Sequence, residues 1–412
     1  MPDWKRNFIF IWISQFCSLT GFSLALPFAP FFIQNLGITD PDAVKFWSAL
    51  SVSSPPVGMA IMAPIWGYLA DRYGRKMMML RANFSAMIIL FGMSLSPNVM
   101  VFVILRFLQG AFTGTVTAAM TFVSSSTPSS KQGKALGFLS VAVYSGSMVG
   151  PILGGFLAEI IGYRNSFIAS GFLLMMAALL ILIPVQENFV RPISARKMKP
   201  GEKSNWLEAL GPGLPILFLM MFLAAAQIFD APIWPLYVQK IHGRLEGAAK
   251  WTGVLNGVAA IGSISAGYWF GRIADRLSPQ KIGPKLVFFA GIFMAIIGFF
   301  PSFGTIFPAR FLLAFCAAGL DPILQMWISH VTPESKKGTI FGWAVTAKSV
   351  GWFISPLISG SIAVGFGIPA MYLFGLIQFW ILIPIIKIVS NKVLIAEKNR
   401  QSETRIQKLM TV

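Results

Sequence analysis

The sequence predicts an all-α membrane protein with twelve transmembrane helices, arranged as two parallel six-helix repeats. Three observations lead to this prediction. Apolar residues make up 55% of the 412 residues and charged residues only 12%, apolar runs recur along the whole chain, and one motif occurs twice. A soluble domain carries about 25% charged residues, and a helix needs roughly 20 apolar residues to cross a bilayer. A soluble body with a single membrane anchor is therefore excluded.

The apolar runs define twelve spans. They cover residues 7–35, 46–70, 77–96, 99–122, 136–160, 165–184, 212–238, 250–272, 285–303, 306–330, 338–364 and 369–389. We expect an N-terminal six-helix bundle over residues 1–184, a basic linker over 185–211, a C-terminal bundle over 212–389 and a charged cytoplasmic tail over 390–412.

The placement of Lys and Arg predicts the orientation. With the N-terminus inside, the outer segments hold only Lys45, Arg164, Lys240, Arg244 and Lys250, whereas most other basic residues fall in inner segments. Basic loops resist translocation, so both termini are expected in the cytoplasm. The net charge of +18 follows from this topology, and we expect no nucleic-acid partner.

A duplicated motif indicates that the two halves of the chain are internal repeats. Gly67-Tyr-Leu-Ala-Asp71-Arg72 recurs 204 positions later as Gly271-Arg-Ile-Ala-Asp275-Arg276. Nearly the same offset relates Gln34 to Gln239 along the chain. Six spans in each half give both copies one orientation, which is the parallel internal repeat of many secondary transporters.

The first copy of the motif fills the short inner loop between spans two and three. We expect Gly67 to permit close helix packing and Gly74 a tight turn. Asp71 is a candidate for the positive end of a helix dipole. The basic residues Arg72, Arg75 and Lys76 are expected to hold the loop at the cytoplasmic face.

This loop resembles the signature loop of the major facilitator superfamily, in which it forms a charge relay that closes the cytoplasmic side. The second copy keeps Asp275 and Arg276 but lacks the Gly-Arg-Lys ending, so a weaker gate is expected there. The resemblance also implies that each bundle consists of inverted three-helix repeats.

A glycine motif in span five indicates which branches of the superfamily the chain resembles. It consists of Gly146, Gly150, Pro151, Gly154 and Gly155. Small residues at this spacing permit close helix packing, and the motif resembles the one that marks antiporter branches of the superfamily. Gly21 with Pro27-Phe-Ala-Pro30 resembles a motif of twelve-helix drug–proton antiporters. Three further segments are similar to the MdtG-like subgroup of bacterial multidrug exporters: Trp4-Lys5-Arg6-Asn7, Leu80-Arg81 and Ala135-Leu136-Gly137.

Charged residues inside the membrane are the candidates for proton coupling, because they are costly in lipid and mark pathways or proton sites. The resemblance implies that Arg106 in span four assists coupling, and the alternative is a structural pair with a carbonyl or carboxylate. Asp230 and Asp321 each lie beside a proline-containing helix break. An isolated carboxylate in a low-dielectric site retains a proton readily. We therefore expect Asp321 first, and Asp230 second, to carry the proton.

A second group of polar residues is expected to line the substrate cavity. Lys348 is a candidate counter-charge to Asp321 or a receptor for an acidic substrate group, and Arg310 is either a cavity residue or a snorkelling one. The remaining candidates are Gln109, Gln227 and Gln325. A static pair of Asp321 with Arg310 or Lys348 is the alternative to a proton site.

The predicted function is proton-coupled export of small molecules or drugs by a multi-pass protein of the bacterial inner membrane. We expect a monomer surrounded by membrane lipid, with protons and a small-molecule substrate as its partners. We expect no enzymatic activity, catalytic residue, metal or cofactor. The sequence contains no phosphate-binding loop motif, so ATP-driven transport is not supported. The alternatives are a dedicated exporter of an anionic metabolite such as a siderophore, a solute importer, and a membrane sensor or scaffold.

Overall fold

The computed structural model of the protein describes residues 3–187, 213–273, 279–332 and 337–410. Every regular element in these ranges is a helix. Within the same ranges, nine helices are long and apolar enough to cross a membrane, and Lys131–Leu182, which covers the fifth and sixth predicted spans, counts as one of them. Each of the twelve predicted spans coincides with one helix, with part of one, or with two consecutive helices. The all-helical prediction is confirmed.

The first half contains seven α-helices, some of which divide a single span. The helices are α1 (Asp3–Ala25), α2 (Ala29–Asn35), α3 (Pro41–Tyr73), α4 (Arg75–Ser94), α5 (Val99–Phe112), α6 (Thr115–Ser126) and α7 (Ser129–Leu182). A 3₁₀ turn, Leu26–Phe28, separates α1 from α2. Gly162, with φ of 81°, interrupts α7 between the fifth and sixth predicted spans.

The second half contains eight described α-helices. They are α8 (Leu214–Gln227), α9 (Trp234–His242), α10 (Ala248–Ile273), α11 (Pro279–Phe299), α12 (Phe303–Ala318), α13 (Leu320–Val331), α14 (Lys337–Gly365) and α15 (Gly367–Met410). The helix α15 continues from the twelfth predicted span through the predicted tail. Most of the predicted linker lies outside the described residues.

The chain divides into two compact units. Unit 1 comprises Met1–Lys197, Asp230–Ile261 and Pro356–Ile368, and unit 2 comprises Met198–Phe229, Gly262–Ser355 and Pro369–Val412. Unit 1 therefore includes two segments of the second half of the sequence. The predicted division into two six-helix bundles remains a prediction.

Aromatic and aliphatic side chains form the core of unit 1. Phe32 packs edge-on against Phe102 and Phe167, with ring centroids 5.2 and 5.0 Å apart. All three rings are buried among Leu90, Met93 and other aliphatic residues. Such edge-to-face pairs stabilise beyond the area that they bury, so this cluster fixes α2, α5 and the second part of α7 together.

In unit 2, small residues bring helices into close contact. Gly351 of α14 faces the backbone carbonyl of Met221 in α8, and Ser355 Oγ donates a 2.5 Å hydrogen bond to the carbonyl of Ala225. Interfaces of small residues allow membrane helices to approach closely. This packing sets α8 and α14 side by side and positions the side chains that they carry.

Candidate functional site

The carboxylate of Asp321 is the centre of a polar cluster in unit 2. Lys348 Nζ forms an ion pair with Asp321 Oδ1, and Gln227 Nε2 donates a 2.9 Å hydrogen bond to Asp321 Oδ2. Gln227 also donates to the carbonyl of Ala317 at 3.0 Å. The cluster thus joins α8, α13 and α14 through three residues that the sequence had marked as candidates.

The helix break beside Asp321 gives this carboxylate its position. Gly319 separates α12 from α13, and Asp321 lies in the first turn of α13. A carboxylate in the first turn interacts favourably with the helix dipole. The side chains of Lys348 and Asp321 are 19% and 26% exposed. Of the two pairing partners considered for Asp321, Lys348 is the one observed, so this carboxylate is not isolated.

Arg106 is buried in unit 1, and its contacts are polar and uncharged. Its Nε donates to the carbonyl of Ser51 at 3.0 Å, and its Nη1 donates to Gln109 Oε1 at 2.7 Å. Both Arg106 and Gln109 are buried. The contact with the Ser51 carbonyl agrees with the alternative in which Arg106 has a structural role. The side chain of Gln109, a candidate for the substrate cavity, is hydrogen-bonded to Arg106.

Asp230 occupies the break between α8 and α9, as expected from the sequence. Asp230 is buried, and its backbone carbonyl accepts hydrogen bonds from the amides of Ile233 and Trp234 at 3.0 and 2.8 Å. The backbone of Asp230 therefore caps the first turn of α9. Asp230 belongs to unit 1, whereas Asp321 belongs to unit 2.

Two further candidates for the substrate cavity lie on the two helices that flank the break in span ten. Arg310 is partly buried in α12, and Gln325 is exposed on α13. Gln325 follows Asp321 by four residues, so both side chains lie on one helix face.

The inner loop between α3 and α4 turns at Gly74, as predicted. Gly74 has φ of 89°, a region that favours glycine. The carboxylate of Glu187 lies against this turn and accepts the backbone amides of Arg75 and Lys76, both at 2.8 Å. Glu187 thus accepts hydrogen bonds from backbone amides that would otherwise be unpaired at the N-terminus of α4. Its negative charge also interacts favourably with the positive end of the helix dipole.

The other members of the loop motif have separate environments. Gly67 and Arg72 are exposed, and within the described ranges no atom lies within 4 Å of a Cβ added at Gly67. The close packing expected at Gly67 is therefore not observed there. Lys76 Nζ donates to the carbonyl of Leu182 at 2.9 Å. The side chain of Asp71, and both Asp275 and Arg276, lie outside the described residues.

The span-five glycines form one contact face of α7. A Cβ at Gly146 would lie 2.6 Å from the carbonyl oxygen of Phe16, and one at Gly150 would lie 2.7 Å from that of Thr20. A Cβ at Gly154 would overlap the carbonyl of Leu24. These glycines recur every four residues, so they share one face. Close packing of the motif, here against α1, agrees with the expectation.

The end of this motif faces a segment from the second half of the chain, within unit 1. A Cβ at Gly155 would lie 2.6 Å from the carbonyl oxygen of Ala249, and Gly253 faces the carbonyl of Pro151. Glu159 Oε1 accepts the backbone amide of Lys250 at 3.1 Å. The fifth predicted span therefore supports the start of α10 through backbone contacts.

Two glutamines that the predicted repeat places at equivalent positions are in contact within unit 1. Gln34 Nε2 donates to Gln239 Oε1 at 2.9 Å, and Gln239 Nε2 lies 3.3 Å from Gln34 Oε1. Nearby, Lys45 Nζ donates to the carbonyl of Ala363 at 3.2 Å. Under the predicted orientation these residues lie at the outer ends of their spans. They therefore connect the outer ends of the two sequence halves.

Arg81, which the sequence marked only through a family resemblance, forms a second polar site. Its guanidinium lies 3.6 Å from the ring centroid of Trp66 and donates to the carbonyls of Phe112 and Thr113 at 3.1 and 3.2 Å. Trp66 Nε1 donates to the carbonyl of Ala111 at 2.6 Å. These contacts satisfy carbonyls at the end of α5, where span four is broken.

Sequence signals for the missed residues are weak. Glu187 lies 112 positions from Arg75, and this separation conceals its capping role. Arg81 is adjacent to basic residues of the inner loop, so it reads as one more positive-inside charge. The break that it stabilises has no proline, and only Gly114, with φ of 122°, marks it.

Comparisons with known proteins identify the family. The model of the Major Facilitator Superfamily matches residues 11–282 and 231–405. Multidrug resistance protein MdtG of Proteus mirabilis (strain HI4320) is 31% identical over 390 residues, which cover 92% of this chain and 96% of that protein. The multi-drug resistance efflux pump PmrA homolog of Lactococcus lactis subsp. lactis (strain IL1403) is 32% identical over 368 residues, with coverages of 88% and 89%.

A solved structure shares the fold at low sequence identity. It is a bacterial homolog of the human lysosomal transporter Spinster in an inward-facing and occupied conformation, and it matches with a TM-score of 0.74 and 14% identity over 97% of each chain. The repeated inner-loop motif, the helical architecture and the match over both halves agree. The chain belongs to the major facilitator superfamily, and its sequence resembles the MdtG-type multidrug resistance proteins of that family.

Proposed function

We propose that this protein is a secondary active transporter that exports small molecules, drugs among them, in exchange for protons. The similarity to proteins named for multidrug resistance and efflux supports the export of drugs. The observation that carries the coupling proposal is the cluster of Asp321, Lys348 and Gln227 beside a helix break. Broken helices supply substrate and ion sites in many transporters.

In the proposed cycle, substrate and proton bind Asp321 in turn. On the inner side, the ionised carboxylate of Asp321 accepts a hydrogen bond or a positive group of the substrate. A proton that reaches Asp321 from the outer side removes the negative charge and releases the substrate, and loss of that proton on the inner side restores the site. Only differential binding of proton and substrate to the two states can drive such a cycle, and competition between proton and substrate for Asp321 supplies that difference.

Alternating access completes the proposal. The contacts of Gln34 with Gln239, and of Gly155 with Ala249, would separate when the outer side opens. We place the protein in the bacterial inner membrane as a monomer, with both termini in the cytoplasm. Asp230 and Arg106 remain secondary candidates for coupling, and the inner-loop motif remains the candidate cytoplasmic gate.

A dedicated exporter of an anionic metabolite is the second candidate. The observation that favours it is Lys348, whose partly exposed ammonium group would suit a carboxylate better than a lipophilic cation. An importer is the third candidate, and the span-five glycine motif weighs against it.

Purified protein in proteoliposomes with an imposed pH gradient tests the proposal. The substrate panel contains lipophilic drugs and carboxylate metabolites, and uphill transport is measured for each. We expect gradient-driven export of at least one drug. Export of carboxylates alone would select the second candidate, and transport of every substrate into the compartment that corresponds to the cytoplasm would reject the export proposal.

A further inference from the structure

A cavity of about 450 Å³ lies between the beginnings of α1 and α7 in unit 1, apart from the polar cluster around Asp321. The residues that line it are Trp4, Lys5, Phe8, Ile9, Lys131, Lys134, Ala135 and Phe138. The residues on each helix recur at spacings of three and four, so each helix contributes one face. The cavity has the size of a small-molecule binding site.

Positive charge gathers at one end of this cavity. Lys5 and Lys131 approach the same ring of Trp4, with Nζ atoms 5.8 and 5.6 Å from its centroid. Lys134 lies on the same face of α7, one turn beyond Lys131. None of the eight lining residues carries a carboxylate. Three ammonium groups that line one cavity repel one another, and an anion bound among them would relieve this repulsion.

The other end of the cavity continues as an exposed apolar surface. Ile9 and Phe138, which line the cavity, are 40% and 52% exposed, and Ile13 and Val141 extend the same two helix faces with 37% and 54% exposure. A hydrogen bond from Trp12 Nε1 to the carbonyl of Phe138, 2.8 Å long, holds the two helices together beneath the cavity. The surface is thus basic at one end and apolar along its length.

We propose that this cavity binds an anionic phospholipid, with its phosphate among Lys5, Lys131 and Lys134 and its acyl chains along the apolar surface. Basic pockets between transmembrane helices are typical sites for anionic headgroups. A soluble anion would satisfy the lysines but would leave the apolar surface without a role. Under the proposed orientation the site faces the cytoplasmic leaflet, where Trp and Lys commonly lie at the interface.

Native mass spectrometry of the full-length protein with added phosphatidylglycerol or phosphatidylcholine tests the site. The wild type should bind phosphatidylglycerol preferentially. Each lysine near an anionic lipid is expected to contribute about fivefold in affinity, so Lys131→Ala/Lys134→Ala should weaken phosphatidylglycerol binding roughly twenty-five-fold. Binding of phosphatidylcholine should change little, and Lys131→Arg/Lys134→Arg should retain the preference. Lys5→Ala, a single exposed change, should reduce it about fivefold.

The matched control is Lys281→Ala/Lys285→Ala, which removes two exposed lysines from α11 on the same predicted side. This control should keep the wild-type preference for phosphatidylglycerol. An equal loss in the control, or no loss in either the double variant or Lys5→Ala, would overturn the proposal. Displacement of the lipid by an equal concentration of free glycerol phosphate would also overturn it, because the site would then be one for soluble anions.

Discussion

At the scale of single residues, Asp321 is tied to two helices besides its own. Its carboxylate oxygens contact Lys348 and Gln227 separately, so protonation of either oxygen disturbs the cluster. The sequence identified all three residues because polar side chains are rare inside the membrane. It gave Lys348 and Arg310 as alternative partners of Asp321 without choosing between them. It did not predict the contact with Gln227, since the approach of α8 to α14 depends on contacts such as that of Gly351 with Met221.

Substitutions in the pair of Asp321 and Lys348 can distinguish its contribution to stability from its contribution to proton coupling. Lys348→Met leaves a carboxylate without its cation, and we expect a loss of stability of about 3 kcal/mol. The double variant Asp321→Asn/Lys348→Met removes both charges and should regain most of this stability. It should still lack uphill export. Thermal unfolding in detergent and transport in proteoliposomes measure the two effects, and uphill export by the double variant would show that the pair is only structural.

Arg81 is the residue on which the break in span four depends. Arg81→Ala leaves the carbonyls of Phe112 and Thr113 without their charged donor, and we expect a loss of about 1.5–3 kcal/mol. The control is Lys285→Ala, 204 positions later, where the repeat-related side chain is exposed and the change should be small. Thermal unfolding measures both variants. Equal effects of the two substitutions would contradict the assigned role.

At the scale of helices, length and composition predicted helical segments that the described residues confirm, and nine of the described helices are long and apolar enough to cross a membrane. The helix breaks predicted beside Pro232 and Pro322 are observed in spans seven and ten, and a further interruption, at Pro27 in span one, was not predicted. Other prolines, such as Pro151 and Pro356, lie inside helices, so proline alone does not predict a break. The break at Gly114 was missed because it depends on carbonyl groups that Arg81 satisfies from a distant part of the chain.

The span-five motif provides a test of helix packing. Gly154→Val would place side-chain atoms against the backbone of Leu24, and we expect a loss of about 1–3 kcal/mol from overpacking. The control, Gly137→Val, lies on the same helix at a position where no described atom lies within 4 Å of an added Cβ. Its effect should be limited to the small difference in helix propensity. A similar loss in both variants, measured by thermal unfolding, would contradict the assigned packing role.

At the scale of the whole molecule, the repeat and its violations carry different information. Gln34 and Gln239 occupy positions that the predicted repeat makes equivalent, and they contact each other. The spacing of the duplication alone does not predict this contact. Asp230 and Asp321 have Ala25 and Thr117 at the repeat-related positions. We therefore propose that the equivalent positions describe the scaffold and that the differences mark the groups used for coupling. How Asp230 acts could not be predicted, because its surroundings depend on the tertiary fold.

The contact between Gln34 and Gln239 also tests alternating access. In a background with Cys17 and Cys316 replaced by Ser, we introduce Gln34→Cys and Gln239→Cys and join them with a short bifunctional maleimide. The crosslink should stop transport, because the outer side then cannot open, whereas each single cysteine treated with the reagent should retain it. Full transport by the crosslinked protein would show that this contact need not separate.

The most direct test of the central claim measures proton movement during export in sealed proteoliposomes with an internal pH indicator. We expect wild-type protein to move protons opposite to substrate, and Asp321→Asn to exchange substrate without moving protons. The matched control is Asp42→Asn, which removes a carboxylate that also pairs with a lysine, at 2.7 Å, but is 56% exposed; this variant should behave as wild type. Substrate export by wild-type protein without proton movement, or unchanged proton movement in Asp321→Asn, would contradict the account.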